Sequence, residues 1–158
     1  MVTAISTGLW GLRDAGCAED DIILVHDGVR PLVAERIITE NIEKCRKYGY
    51  AITGMICKEA IMQKVDDCVK NIDIPRERLV RTQTPHTYPL GTLLKAHAEA
   101  DAKGIDGTVA SCTLMAELGV DNQHLVMGSE KNGLKLTQTE DVELFKALKH
   151  TTKDEWLK

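Results

Sequence analysis

Four consecutive apolar residues, Ile22-Ile23-Leu24-Val25, run straight into His26-Asp27-Gly28, and this junction constrains the fold more than any other segment. A short apolar run that ends in a turn is the mark of a strand buried on both faces, as in a parallel sheet. From Val33 onward the apolar residues Ile37, Ile38, Ile42 and Cys45 recur at helical spacing, and Gly49 stands where such a helix stops. Ala51–Ile56 reads as a second strand. Strand, helix and strand in this order form a βαβ unit, which commits the chain to an α/β sheet.

The flanking segments extend that expectation. Ile5–Ala15 reads as a helix feeding directly into the first strand. A doubly wound sheet usually opens with a strand and a phosphate-gripping turn, yet neither GxGxxG nor GxxxxGK occurs, so the domain is expected to begin mid-fold. Residues 58–80 are polar, carry Asp66-Asp67 and Asn71, and alternate weakly from Ile61 to Val65; a hairpin arm projecting from the body fits them best. Pro89 suits the first turn of a helix with Leu90, Leu93, Leu94 and His97 on one face. Leu125–Met127 reads as a strand. Thr137 with Glu140 forms a capping box before Val142, Phe145 and Leu148, the apolar face of a closing helix.

Composition narrows the function classes. A chain of 158 residues suits one domain, which buries roughly 68–70% of its unfolded surface. The net charge is −4 and no Lys/Arg-rich run occurs, which argues against nucleic acid as a partner. No apolar stretch approaches the ~20 residues of a membrane span, and the start lacks the pattern of a signal peptide. Five scattered cysteines without a CxxC pair suggest neither a zinc site nor a disulfide framework. Reduced thiols in the cytoplasm are the expectation.

Three segments carry side chains suited to chemistry. The first is His26-Asp27-Gly28-Val29-Arg30-Pro31. It follows the carboxyl end of a strand, where ligands of open α/β sheets bind. Asp27 there can hold Mg²⁺, which bridges nucleotide phosphates, and Arg30 can pair with a phosphate through two N–H groups. The plainer alternative is a strand-to-loop turn whose Asp caps backbone amides. The second is Arg81-Thr82-Gln83-Thr84-Pro85-His86, by itself an extended loop in which Thr84 offers a hydroxyl. His86 and His97 read as core or boundary histidines. The third is Lys131-Asn132-Gly133-Leu134-Lys135-Leu136-Thr137, where Asn-Gly signals a tight turn and Lys135 can neutralise an anionic substrate or simply be solvated.

In this order, HDGVRP, TQTPH and KLTQTED resemble the 2-C-methyl-D-erythritol 4-phosphate cytidylyltransferase family, including its ribitol-5-phosphate cytidylyltransferase relatives. The resemblance implies a Rossmann-like, GT-A-type nucleotidyltransferase fold, a mixed α/β sheet with flanking helices and a projecting β-arm. It implies CTP and Mg²⁺ as ligands, a polyol phosphate as acceptor, and attack of the acceptor phosphate on the α-phosphorus of CTP with pyrophosphate leaving. By the same resemblance Asp27 and Lys135 are catalytic, Asp27 lies near metal and nucleotide, and Arg30 and Thr84 bind substrate. Lys135 contacts the acceptor phosphate, Arg76 reaches the site of a partner subunit from the 58–80 dimerisation arm, and Thr7 (or Ser6) touches the nucleotide. Residues 1–158 then correspond to the C-terminal two-thirds of one cytidylyltransferase domain. The family's opening third, with its Gly-rich loop, has no counterpart in the chain.

The departures fall on the acceptor side. Ala60 replaces an arm threonine, His86 stands where Gln is usual, and Thr108-Val109-Ala110-Ser111-Cys112-Thr113 replaces a Thr-Asp-acidic-Ala segment. They point to a different polyol phosphate, and Ile37–Glu43 leans toward the ribitol-phosphate branch. Two other expectations stand beside the enzyme: a remnant that folds and dimerises with little or no turnover, and a generic Rossmann-type binding domain, which the three ordered motifs disfavour.

Overall fold

The computed structural model describes residues 2–105 and 107–151. Helix α1 (Val2–Asp14) leads through a turn into strand β1 (Ile22–Val25). Helix α2 (Glu35–Tyr48) follows, stopped by Gly49 at φ 90°, a conformation that favours a residue without Cβ. Strand β2 (Ala51–Ile56) keeps the bounds read from the sequence. Strands β3 (Met62–Val65) and β4 (Cys68–Asn71) form the expected hairpin arm, turning at Asp66 with φ 52°. A 3-10 turn, Arg76–Arg78, returns the chain to strand β5 (Val80–Pro89). Helices α3 (Leu90–Lys103) and α4 (Ser111–Glu117), strand β6 (His124–Met127) and helices α5 (Glu130–Gly133) and α6 (Thr139–Thr151) complete the order.

The main sheet has the strand order β1-β5-β2-β6. β5 is antiparallel to both β1 and β2, while β6 is parallel to β2, so the sheet is mixed. β1 and β2 therefore run in the same direction, as the βαβ unit requires, with β5 between them. Two expectations are corrected here. β1 is an edge strand, half-buried along its length and paired antiparallel, rather than buried on both faces of a parallel sheet. Arg81–His86 lies inside the ten-residue strand β5 rather than in an extended loop.

β5 escapes a local reading because partners distant in sequence satisfy its polar side chains. The Thr87 hydroxyl donates to Asn41 Oδ1, and Asn41 Nδ2 donates to Thr53 Oγ1 at 2.9 Å and to the Ile37 carbonyl at 2.7 Å. The Thr53 hydroxyl donates to the Pro85 carbonyl at 2.9 Å. This buried knot ties α2 to β2 and β5.

Alternation along the strands sorts the apolar residues into two layers. On one face α2 packs Ile37 and Cys45 against Ala51 and Val126. On the other, α1 and α3 bring Leu9, Leu90, Leu93 and Leu94 onto Tyr88, with Met115 of α4 joining them. The arm stands outside both layers: β3 and β4 pair with each other and form a separate two-stranded sheet.

Two smaller expectations change. Asn132-Gly133 is the end of the one-turn helix α5, which the Ser129 hydroxyl caps by accepting the Asn132 N–H. The closing helix begins at Thr139, so Asp141 rather than Glu140 is its third residue. The Asp141 carboxylate accepts the main-chain N–H groups of Thr137 and Gln138 at 2.8 and 2.9 Å. Val142 on that helix is exposed, with Phe145 and Leu148 half-buried.

Candidate functional site

Past the end of β1 the chain turns back on itself, the Arg30 N–H bonding to the Asp27 carbonyl at 2.9 Å. A second strand fixes this turn. Across β2 the register passes from Ile52↔His86 to Thr53↔Gln83, which leaves Thr84 and Pro85 as extra residues of a β-bulge. The bulge carries Thr84 beyond the end of β1, and its hydroxyl accepts the Asp27 N–H at 3.1 Å. His26 Nε2 donates to the Arg30 carbonyl at 2.9 Å and closes the loop from the other side.

The third segment is nailed to the same bulge. Gln83 Nε2 donates to the Ser129 carbonyl, and Asn132 Nδ2 donates to Gln83 Oε1 and to the Thr84 carbonyl. A Cβ at Gly128 or Gly133 would land on the Gln83 amide, which is why glycine stands at both positions. Arg30 Nη1 donates to the Gly133 carbonyl, and the Leu136 N–H donates to the Val29 carbonyl at 2.8 Å. Lys135, between these two anchors, is thereby held beside Asp27.

Two cations converge on one carboxylate. Asp27 Oδ2 lies 3.1 Å from Arg30 Nε and 3.5 Å from Lys135 Nζ. Partial burial pushes the Asp27 carboxyl up, but the Arg30 hydrogen bond and the charges of Lys135 and Arg30 outweigh it and hold the group below its ordinary range. Asp27 is therefore ionised at neutral pH. The three side chains, with Thr84, line a cavity of about 380 Å³ that Ile5, Val25, Gln83, His86 and Ser111 also help to form. A neighbouring hollow of about 330 Å³ shares Arg30 and Lys135 and adds Arg81, whose guanidinium pairs with Glu130 at 2.6 Å. Two cations against one carboxylate leave the cavity rim with a net positive charge, which suits an anionic ligand.

Asp27, Arg30, Thr84 and Lys135 thus meet in one place. Arg76 does not join them: it lies on the arm, donates to the Lys58 carbonyl at 3.2 Å and lines a separate hollow with Ala60, Met62 and Asn71. Thr7 is exposed on α1, whose contribution to the cavity is Ile5. Gln83, His86 and Ser111 line the same cavity; the residues alone did not single them out, although the resemblance put His86 and the Thr108–Thr113 segment among the acceptor-side departures. Among the described residues no group of three or more His, Cys, Asp or Glu is arranged to hold a metal ion. Asp27 offers a single carboxylate, the donor number that suits Mg²⁺ when phosphates and water complete its shell.

A model of the 2-C-methyl-D-erythritol 4-phosphate cytidylyltransferase family (IspD) matches residues 5–150. The chain belongs to this family. Among its relatives is the ribitol-5-phosphate cytidylyltransferase of Lacticaseibacillus paracasei, 42% identical over 134 residues, which cover 83% of this chain and 56% of that protein. The 2-C-methyl-D-erythritol 4-phosphate cytidylyltransferase of Acidobacterium capsulatum is 37% identical over 136 residues, 84% of this chain and 56% of its own length. The chain therefore spans little more than half the length of these cytidylyltransferases. The 2-C-methyl-D-erythritol 4-phosphate cytidylyltransferase of Thermus thermophilus superposes with a TM-score of 0.78 at 25% identity, covering 95% of this chain and 69% of that one. The expected Rossmann-like nucleotidyltransferase fold is the one observed.

Proposed function

We propose that the chain carries the acceptor-phosphate side of a cytidylyltransferase site. The enzyme transfers CMP from CTP to a sugar-alcohol phosphate, 2-C-methyl-D-erythritol 4-phosphate or ribitol 5-phosphate, and releases pyrophosphate. The observation that carries this is the convergence of Arg30 and Lys135 on Asp27 at the rim of the 380 Å³ cavity. Transfer of this kind needs positioning and charge neutralisation rather than a covalent nucleophile. Arg30, pinned by Asp27 and the Gly133 carbonyl, presents a fixed guanidinium face. Lys135, with 43% of its side chain exposed, has room to follow the acceptor phosphate as it approaches the α-phosphorus. Thr84 adds a hydroxyl at the same rim.

Asp27 is the residue that would hold Mg²⁺ in this site, and Mg²⁺ supplies neutralisation of the charge that builds on the triphosphate. Thr7, on the exposed side of α1, faces the nucleotide side in this assignment. The arm makes the protein a homodimer. Ile61, Met62, Val69 and Ile74 are exposed on or beside it, and a two-stranded ribbon alone is marginal in water. A C₂ contact covers these residues and delivers Arg76 to the partner's site. The compartment is the cytoplasm; all five cysteines are free, as a reducing environment keeps them.

The test is equilibrium binding against a panel: CTP with Mg²⁺, ribitol 5-phosphate, 2-C-methyl-D-erythritol 4-phosphate and glycerol 3-phosphate. The identity to a ribitol-5-phosphate enzyme puts ribitol 5-phosphate first. Saturable binding of one polyol phosphate, abolished by Arg30→Ala, supports the function; no binding of any member by the folded chain contradicts it.

A further inference from the structure

Two polar groups buried in the cavity wall have no hydrogen-bond partner. His86 is 2% exposed and Ser111 is 3% exposed; His86 Nε2 and Ser111 Oγ are both unpaired, and both residues line the cavity that Asp27, Arg30 and Lys135 rim. Buried polar atoms are nearly always satisfied, and an exception in a cavity wall calls for a partner such as a water, an ion or a bound ligand. They reach the wall from different elements. His86 lies on β5 just past the bulge, on the same face as Tyr88, and Ser111 opens α4.

The chemistry of the pair selects its ligand. Burial pulls the His86 imidazole down to about 4, outweighing the Gln83 backbone bond and the Asp27 charge that raise it, so the ring is neutral at physiological pH. A neutral imidazole and a serine hydroxyl in the wall of one cavity bring no positive charge and make a poor second phosphate site. With Nδ1–H held by the Gln83 carbonyl, the neutral ring leaves Nε2 as an acceptor, so the pair suits a group that donates to Nε2 and bonds the serine hydroxyl in either orientation. An alcohol does this.

We propose that His86 and Ser111 together hold a hydroxyl of the acceptor's polyol chain, and so set which sugar-alcohol phosphate the site accepts. This rests on the proposed function, in which Arg30 and Lys135 take the phosphate of the same molecule. The phosphate fixes one end, and the wall pair reads the carbon chain behind it. A site built to bond a hydroxyl rejects an analogue lacking it far more strongly than an apolar pocket rejects a methylene.

The test compares three probes by calorimetry: ribitol 5-phosphate, n-pentyl phosphate and inorganic phosphate. Ser111→Ala and His86→Leu should each weaken ribitol 5-phosphate by about tenfold or more, the equivalent of one hydrogen bond to a well-placed partner. Both should leave n-pentyl phosphate and inorganic phosphate unchanged, and His86→Gln, which keeps a donor and an acceptor, should restore most of the affinity. In wild-type protein the His86 ring ¹⁵N resonances should move with ribitol 5-phosphate and stay still with n-pentyl phosphate, a readout that does not depend on any variant folding. If ribitol 5-phosphate binds Ser111→Ala and His86→Leu as it binds wild type, while Lys135→Ala loses it, the hydroxyl pair is wrong and the phosphate site stands. If wild type binds no polyol phosphate, both fall together.

Discussion

Asp27 and His86 sit in one cavity and answer burial in opposite ways. Asp27 keeps its charge because Arg30 and Lys135 more than offset its desolvation, whereas His86 gives its charge up. The consequence for stability has a definite sign. His86 titrates near 4 when folded and near 6.5 when unfolded, so between these values the unfolded chain binds the extra proton and acid favours unfolding. The contribution is complete above pH ~6.5 and falls away toward pH ~4, with a full span of about 3 kcal/mol. Urea unfolding of wild type and His86→Gln across this window should show the steeper loss in wild type. Equal slopes would mean that the folded imidazole is not held neutral. Local sequence marked Asp27 and Arg30, which line one cavity, because a strand end, an acidic residue and a glycine are consecutive. Taken alone it left His86 as a core or boundary histidine, because Asp27 and Ser111, which line the same cavity, lie far away along the chain.

At the scale of the element, β5 explains what a sequence shows and what it hides. α2 was legible because one side of it is apolar at helical period, and β2 because it is a short, mostly apolar run, so in both neighbouring residues carry the signal. β5 reads Val-Arg-Thr-Gln-Thr-Pro-His-Thr-Tyr-Pro, polar and punctuated by two prolines, yet Gln83, His86, Thr87 and Tyr88 are all at most 2% exposed. Its pairing is written in Asn41, Thr53, Ser129 and Asn132, none of which a local window contains. The same partners position the site. Removing the Gln83 amide by Gln83→Ala takes away the bonds to the Ser129 carbonyl and to Asn132, which keeps only its bond to the Thr84 carbonyl, and should cost about 2–4 kcal/mol by denaturant unfolding. Because that amide tethers α5 to the bulge, the variant should also weaken polyol-phosphate binding although Gln83 need not touch the phosphate. Unchanged binding in a destabilised variant would show that Lys135 is held by other means.

For the whole molecule, the arm and the body answer to different forces. The body is closed by two apolar layers around a mixed sheet, and its class was readable from the βαβ unit alone. The arm was readable as an arm because it is too polar for a core and too long for a simple connection. Val69, 64% exposed on the arm, sits outside both core clusters. Val69→Asp should therefore change the stability of the folded subunit by no more than about 0.5 kcal/mol. In the proposed arm-mediated dimer it should also shift sedimentation from dimer toward monomer, and a variant that sediments as wild type would remove the arm from the interface. Lys135, by contrast, gained meaning only from the motif order. A lysine before a helix is usually a solvated side chain, and nothing local shows that Gly133 and Leu136 are anchored to the Asp27 turn. Its placement is also where the central claim is most exposed. Calorimetry of Lys135→Ala with ribitol 5-phosphate and, separately, with CTP and Mg²⁺ tests it directly. The polyol phosphate should weaken by about 10–100-fold, the worth of a hydrogen bond to a charged group, while CTP stays within about twofold. A loss of CTP affinity with the polyol phosphate bound as tightly as before would contradict the assignment of this cleft to the acceptor phosphate.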